Sequence, residues 1–292
     1  MPELLTTEEA AAYLRLSERK LYELVANAAV PCSKVTGRWL FPKAELDHWV
    51  TAGLATRPTH AAPPILGGSH DPLLEWALRE SGSELANLPE GSKAGLDRLT
   101  RREVLAAAIH MHRSDGDEET ANIDAVAHAP GLHDAVVIAF ARREQGLLVA
   151  PGNPLALADI ASVVKRRARI ALRPAGAGAQ LLLLALLNKA GLSADALNPI
   201  KPPCPTGPDI GQAVRSSRAD CGIATRSVAN ASGLDFVPLT WERFDLVLRQ
   251  RDYFLPHAQN LFGFMCTRTF AERAAELGGY DVTAAGQVRH VS

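Results

Sequence analysis

Three short stretches of this chain place glycine or proline beside a hydroxyl or a charge at the start of a helical pattern. They are Gly67-Gly68-Ser69-His70-Asp71-Pro72, Arg173-Pro174-Ala175-Gly176-Ala177-Gly178-Ala179-Gln180 and Thr206-Gly207-Pro208-Asp209. Each suits anion chemistry, because a helix start carries free amide donors and the positive end of the helix dipole, and glycine lets backbone approach a ligand closely. In the first stretch Ser69 can cap or donate, Pro72 fits the first helical turn, and the amides of His70 and Asp71 lie near the positive end. In the second, Arg173 stands at the mouth of a loop with two glycines. A single junction of this kind is an ordinary helix cap, whereas three that converge form an anion pocket of amides and hydroxyls.

Catalytic sets are a different matter. The chain has no HExxH, no G-x-S-x-G elbow and no Walker loop, and GAGAQ lacks the spacing and following acid of a dinucleotide fingerprint. Ser69, His70 and Asp71 are chain neighbours, which rarely face one another as a triad requires. His110 and His112 are two apart and on a helix would diverge by about 200 degrees, so neither a metal centre nor another cofactor is expected. The expectation is a binding protein rather than an enzyme.

The elements that must position these junctions follow from periodicity. After an apolar approach to Gly67, helical patterns over 72–81, 101–111 (RREVLAAAIHM), 155–166, AQLLLLALLNKAG, IGQAVRSSRA and 267–277 alternate with strand-like runs. Those runs are DAVVIAFARR, QGLLVAPGNPL, RIALR, DCGIAT, LDFVPL and RFDLVLR. Such alternation predicts α/β architecture with a mostly parallel sheet, whose ligands sit at the carboxyl ends of strands. Thr225, at the end of DCGIAT, is then either a ligand contact or a plain strand end.

Residues 1–53 read differently. Thr6 and Glu9 form a capping box, and Ser17 caps a second helix, SERKLYELVANAA, two residues after the first. Lys34 to Phe41 reads as a hairpin turning near Thr36-Gly37, with a third helix from Pro42. This is a winged helix-turn-helix outline. Between Arg15 and Lys43 six Lys/Arg face two Glu, which gathers basic charge on the elements that would meet DNA. Ser17, Arg19 and Lys20 are placed to read base edges and Lys34, Arg38 and Lys43 to hold the backbone, with Thr36 at the hairpin turn a further DNA-binding residue. Residues 54–64 are read as a linker and 65–292 as the second domain.

Two resemblances sharpen this outline. LLTTEEAAAYLRLSERKLYELV and GRWLFPKAELDHWV resemble the excisionase and MerR-like helix-turn-helix domains, which implies sequence-directed binding of double-stranded operator DNA, usually as a homodimer. GGSHDPLL, AAAIHMHRSDG, LLVAPGNPL, LRPAGAGAQLLL and ADCGIATRSVANASGLDFVPLTWERFDLVL are similar to the periplasmic-binding-protein-like sensor domains of bacterial regulators, relatives of molybdate- and tungstate-binding proteins. That resemblance implies two lobes, about 65–147 with 248–292 and about 148–247, around a cleft that holds a small anion, molybdate or tungstate first. It carries Ser69, His70, Asp71, His110, Arg173, Gly176, Gly178, Ala179, Gln180, Thr206 and Thr225 over as ligand residues. His110 can equally be a structural hydrogen bonder. The segment more usually written RQxGSGTR has Ala177, Ala179 and Gln180 here, which removes two hydroxyls and one positive charge and leaves open an organic or sulfur-containing anion, or a second domain that only dimerises.

Composition agrees with a globular chain. A net charge of −1 excludes a bulk basic coat, so DNA binding must rest on local clustering. Four cysteines without CxxC spacing fit reduced thiols. An acidic N-terminus and the lack of about 18 consecutive apolar residues point to the cytoplasm, with no membrane partner.

Overall fold

The first two helices begin where their caps place them. In the computed structural model, which describes residues 3–27, 29–34, 37–52, 61–112 and 119–292, Thr6 accepts from the Glu9 amide while Glu9 accepts from the Thr6 amide at 2.8 Å. That reciprocal pair starts α1 (Thr7–Tyr13), and Ser17, accepting from the Lys20 amide, starts α2 (Glu18–Ala26). Arg15 makes the tight turn between them with a φ of 53°. Strand β1 (Leu4–Leu5) pairs antiparallel with β2 (Phe41–Pro42), and Ser33 and Leu40 exchange backbone bonds of 2.8 Å each way. Because Pro42 belongs to that pairing, α3 (Lys43–Ala52) starts one residue later than the proline suggests. Ala10, Leu21, Phe41 and Leu46 are fully buried at its centre. Contacts divide the chain into two units, Met1–Ala61 and Ala62–Ser292. The predicted turn residue Thr36 and linker positions 54–60 lie outside the described residues.

The larger unit opens with β3 (Ile65–Gly68), α4 (Pro72–Glu80), β4 (Ala86–Pro89), α5 (Ser92–Thr100), β5 (Ala106–Ile109), α6 (Ala121–Ala127) and the long β6 (Ala135–Val149). A second group follows: α7 (Ile160–Lys165), β7 (Arg169–Ala171), α8 (Gly178–Lys189), β8 (Asn198–Pro199), α9 (Gly207–Arg215), β9 (Cys221–Thr225), α10 (Arg226–Ser232) and the long β10 (Asp235–Arg249). The chain then closes on the first group with α11 (Gln250–Tyr253), α12 (Pro256–Met265), α13 (Arg268–Leu277), β11 (Tyr280–Asp281) and β12 (Val288–Val291).

All the strands of this unit form one sheet, ordered β4-β3-β5-β10-β6-β9-β7-β8, with β11 and β12 also on β6. The expectation of a mostly parallel sheet needs correction. β4, β3 and β5 are parallel, as are β9, β7 and β8, but the two groups are joined by the antiparallel ladder of β6 and β10. These two strands cross from one lobe to the other. On β6, Ile138 and Phe140 face one core of the first lobe and Ala135 and Val137 the other, while Leu147 and Leu148 face the two cores of the second. Alternation with a period of two, apolar on both faces, is why such strands read as continuous hydrophobic runs.

Residues 101–111, expected as a helix, contain β5 instead. Ala106 and Ala108 pack into one core, Ala107 and Ile109 into the other. A short run buried on both faces has no periodicity that separates strand from helix. The helix expected over 155–166 is trimmed to α7, capped by Asp159, whose side chain accepts from the Ser162 amide. No helix among the described residues is long and apolar enough to cross a membrane.

Candidate functional site

The cleft between the lobes is built on two loops and the β6–β10 ladder. Gly68 ends β3 at φ 107°, where an added Cβ would stand 2.2 Å from the Ala108 carbonyl oxygen, so only glycine lets β3 turn this close to β5. Ser69 follows, its hydroxyl 2.7 Å from that of Ser92. Asp71 caps α4, accepting from the amides of Leu73 and Leu74 through Oδ1. Its Oδ2 accepts from Arg143 Nη1 at 2.8 Å and from the Tyr280 hydroxyl at 3.0 Å. Asp71 thus faces inward to a cation and not to the cleft.

Arg143 is the hub. It is 1 % exposed and donates to Asp71, to Glu242 Oε1 at 2.5 Å and to His110 Nδ1 at 2.8 Å, with Phe244 3.9 Å beneath its plane. Burial works against its charge, but Glu242 and Asp71 more than restore it. Burial likewise opposes ionisation of Glu242, and the Arg143 charge together with the hydrogen bond from His112 outweighs it, holding the carboxyl below the ordinary range. His110 is held neutral by burial, its pKa well below the usual imidazole value.

That neutral ring has only one acceptable tautomer. Arginine only donates, so His110 Nδ1 must accept and the proton resides on Nε2. Nε2 is buried and has no hydrogen-bond partner among the described residues. It points across the cleft at α8, where a Cβ on Gly178 would lie 1.8 Å from it. Arg173 approaches from the same lobe as α8, half-buried, with no ion pair among the described residues, and burial draws its guanidinium below its ordinary value.

The cavity that remains measures about 40 Å³. A single water needs roughly 10–15 Å³ by the same kind of measure, so the space suits a ligand of a few heavy atoms. Of the expected residues, Ser69, His70, His110, Arg173, Gly178, Ala179 and Thr225 line it. Asp71, Gly176, Gln180 and Thr206 are not among the lining residues. Gln180 Oε1 accepts from the Arg173 amide at 3.1 Å and closes the loop, and Thr206 caps α9 by exchanging bonds with Asp209. Gly176 sits at φ 83°, against Lys93 of the first lobe.

Sequence reasoning missed Arg143, Gln145 and Glu242. Arg143 and Glu242 are direct partners in the β6–β10 register, and Gln145 Nε2 donates to Glu242 Oε1 at 2.9 Å. The available signal was charge interrupting two apolar runs, FARREQGLLV and LTWERFDLVL. His110 and His112, expected to diverge, come together instead. Both lie just beyond the end of β5 and outside any helix, so the helical divergence does not apply. Their rings lie 5.9 Å apart edge to face, His112 Nε2 is 3.0 Å from Glu242 Oε2, and one ligand atom from each of the three residues lies within 4.8 Å of the others. This triad has the donor set for a divalent transition metal. Arg143 already neutralises Glu242, however, and keeps the His110 proton on Nε2, so metal binding there would require breaking the Arg143 bond.

In the smaller unit, Arg19 and Lys20 project from the first turn of α2 with side chains 92 % and 56 % exposed. Ser17 lies beside them as the cap. Lys34 lies over the Trp39 ring and Arg38 is exposed, whereas Lys43 is half-buried and bound to Glu3 at 3.0 Å.

A model of the PBP superfamily domain matches residues 75–266, and a model of a helix-turn-helix domain matches residues 4–53. The chain belongs to the PBP superfamily. Over 304 aligned residues this PBP-superfamily chain is 21 % identical to the uncharacterized protein YvgK of Bacillus subtilis, covering 97 % of this chain and 96 % of that one. Its fold is similar to a tungstate ABC transporter structure from Geobacter sulfurreducens, at TM-score 0.53 and 13 % identity over 73 % of this chain and 97 % of the other. A substrate-binding protein from Clostridium perfringens, described with bound phosphate, gives TM-score 0.53 and 12 % identity over 73 % and 96 %.

Proposed function

We propose that this chain is a ligand-responsive transcriptional regulator. Its helix-turn-helix unit binds operator DNA and its two-lobed unit senses a small anion. The observation that carries this reading is the pair of unmet donors in the cleft, Arg173 without an ion pair and the buried Nε2–H of His110, on a chain that also carries a helix-turn-helix domain. Neither donor is committed elsewhere among the described residues, and both residues line a space sized for a small oxyanion. The protein acts by binding, without catalysis, and works in the cytoplasm where DNA is. Molybdate or tungstate is the first expectation from the family resemblance.

In mechanism, an anion held by both lobes favours the closed cleft. Any difference in DNA affinity between open and closed forms then becomes a coupling free energy, typically about 1–3 kcal/mol. Two copies reading two half-sites would supply specificity that one small reading unit lacks.

Thermal melts test the sensor half. A true ligand at 100 times its Kd should stabilise by about 2.7 kcal/mol, and no shift with any oxyanion or carboxylate would leave the second domain a dimerisation module only. Fluorescence anisotropy tests the other half. Arg19→Ala with Lys20→Ala should cost about 1–3 kcal/mol per lost base contact and relax sequence preference. Lys34→Ala or Arg38→Ala should weaken binding to all sequences and lower the salt slope by about 1. Unchanged specific binding by the Arg19/Lys20 variant would refute α2 as the reading helix.

A further inference from the structure

The cleft's hydroxyls and amide carry a polarity that constrains what they can bind. Asp71 accepts the proton of the Tyr280 hydroxyl at 3.0 Å, and a carboxylate in this setting has nothing to give back. Tyr280 has one proton. With that proton committed to Asp71, the phenol oxygen can only accept from Ser227, 3.0 Å away. Ser227 must then accept from Thr225 at 2.8 Å. Thr225 therefore directs its hydrogen away from the cavity and presents lone pairs to it.

The same reasoning holds on the opposite wall. Ser92 donates to the His110 carbonyl and accepts from the His110 amide, both at 3.0 Å, so the bond at 2.7 Å runs from Ser69 to Ser92. Ser69 too shows lone pairs to the cleft. Gln145 turns its amide nitrogen to Glu242, which leaves Oε1 buried and without a partner among the described residues. Three side-chain acceptors thus share the cleft with two side-chain donors, His110 Nε2–H and the Arg173 guanidinium, besides the helix-start amides of α8.

We infer that the ligand of this cleft carries a hydroxyl proton as well as negative charge, as hydrogen phosphate or a hydrogen phosphonate does. This rests on the cleft being the sensor site. Sulfate, molybdate and tungstate are fully deprotonated near neutral pH, and each would set bare oxygens against the lone pairs of Ser69, Thr225 and Gln145. A site whose buried polar groups go unpaired discriminates strongly, at about 5- to 150-fold for each mismatch.

Isothermal titration of the full chain at neutral pH with inorganic phosphate, methylphosphonate, sulfate, molybdate and tungstate decides it. Phosphate or methylphosphonate is expected to bind at least about tenfold more tightly than the other three. Tighter binding by sulfate, molybdate or tungstate would overturn the inference and leave the sensor reading intact, while binding of none of the five would overturn the inference and leave the sensor reading to the thermal melts with carboxylates.

Tyr280→Phe provides a second arm, because Tyr280 does not line the cavity. Without the phenol oxygen, Ser227 can donate to Thr225 and Thr225 can turn its proton inward. The phosphate-to-sulfate affinity ratio should fall by about tenfold. An unchanged ratio in a variant that melts like the parent sinks the proposal. Should Tyr280→Phe not fold, Thr225→Val serves instead, with phosphate binding lost and sulfate binding kept, and equal loss for both counts against it.

Discussion

Replacing Arg143 with alanine is expected to destabilise the larger unit by about 3–5 kcal/mol, the usual cost of removing one partner from a buried ion pair. For a unit of this size that is a fall in Tm on the order of 10 °C. The size of the effect follows from what Arg143 leaves behind. Asp71 and Glu242 are each 1 % exposed, and Arg143 joins them. Without it, among the described residues, Asp71 keeps two amides and a phenol, whereas Glu242 keeps Gln145 and His112.

The pH dependence gives the sign. Glu242 is held below its ordinary range in the folded protein, so its contribution is present above the unfolded value of about 4.3 and is lost as pH falls through the folded value. In Arg143→Ala the main cation is gone and burial pushes that carboxyl up. The stability gap between parent and variant should therefore narrow as pH falls from 7 toward 4. A chemical denaturation series measures this. A loss under about 1 kcal/mol at pH 7 would show that solvent reaches the pair.

The second large effect is expected for Gly178→Ala. The new methyl would stand 1.8 Å from His110 Nε2 and 2.0 Å from Cδ2. His110 cannot step aside easily, since Arg143 holds its ring and Ser92 holds its backbone on both sides. At the first position of α8 alanine is no worse a helix former than glycine. The lobes should fold, and the cleft should fail to close on ligand. Anion affinity is expected to fall at least about 100-fold, which corresponds to about 2.7 kcal/mol, with little change in Tm without ligand. Parental affinity with a normal melt would show that the cleft binds its ligand without bringing His110 against α8.

What the sequence made legible was local. Thr6 with Glu9, and Ser17 before α2, place their helices because a cap is a bond between residues three apart. The glycines at 67–68 and 176–178 marked both walls of the cleft for the same reason. β5 was misread because Ala106 to Ile109, buried on both faces, lacks a telling period. β6 and β10 were each read as two strands because Arg142 to Glu144 and Trp241 to Arg243 break their apolar runs. Those breaks are where the site lies. Arg143 meets Glu242 only through a pairing 99 residues apart in the chain, and no local pattern reports such a partner. The side on which Asp71, Gln180 and Thr206 would be engaged was equally hidden, since a capping residue and a ligand residue look alike until the loop is closed.

The two crossing strands have a mechanical consequence. β6 and β10 each run 15 residues without a break, so the lobes are joined here by a continuous ribbon instead of a flexible loop. Such a joint is a flexure, which bends and springs back, rather than a pin that swings freely. Its register slips at Pro238/Thr240 and at Phe244/Asp245, on either side of Glu242. Bending is therefore concentrated around the Arg143–Glu242 pair, and a small change of curvature there is magnified by lever action at the far ends of both lobes.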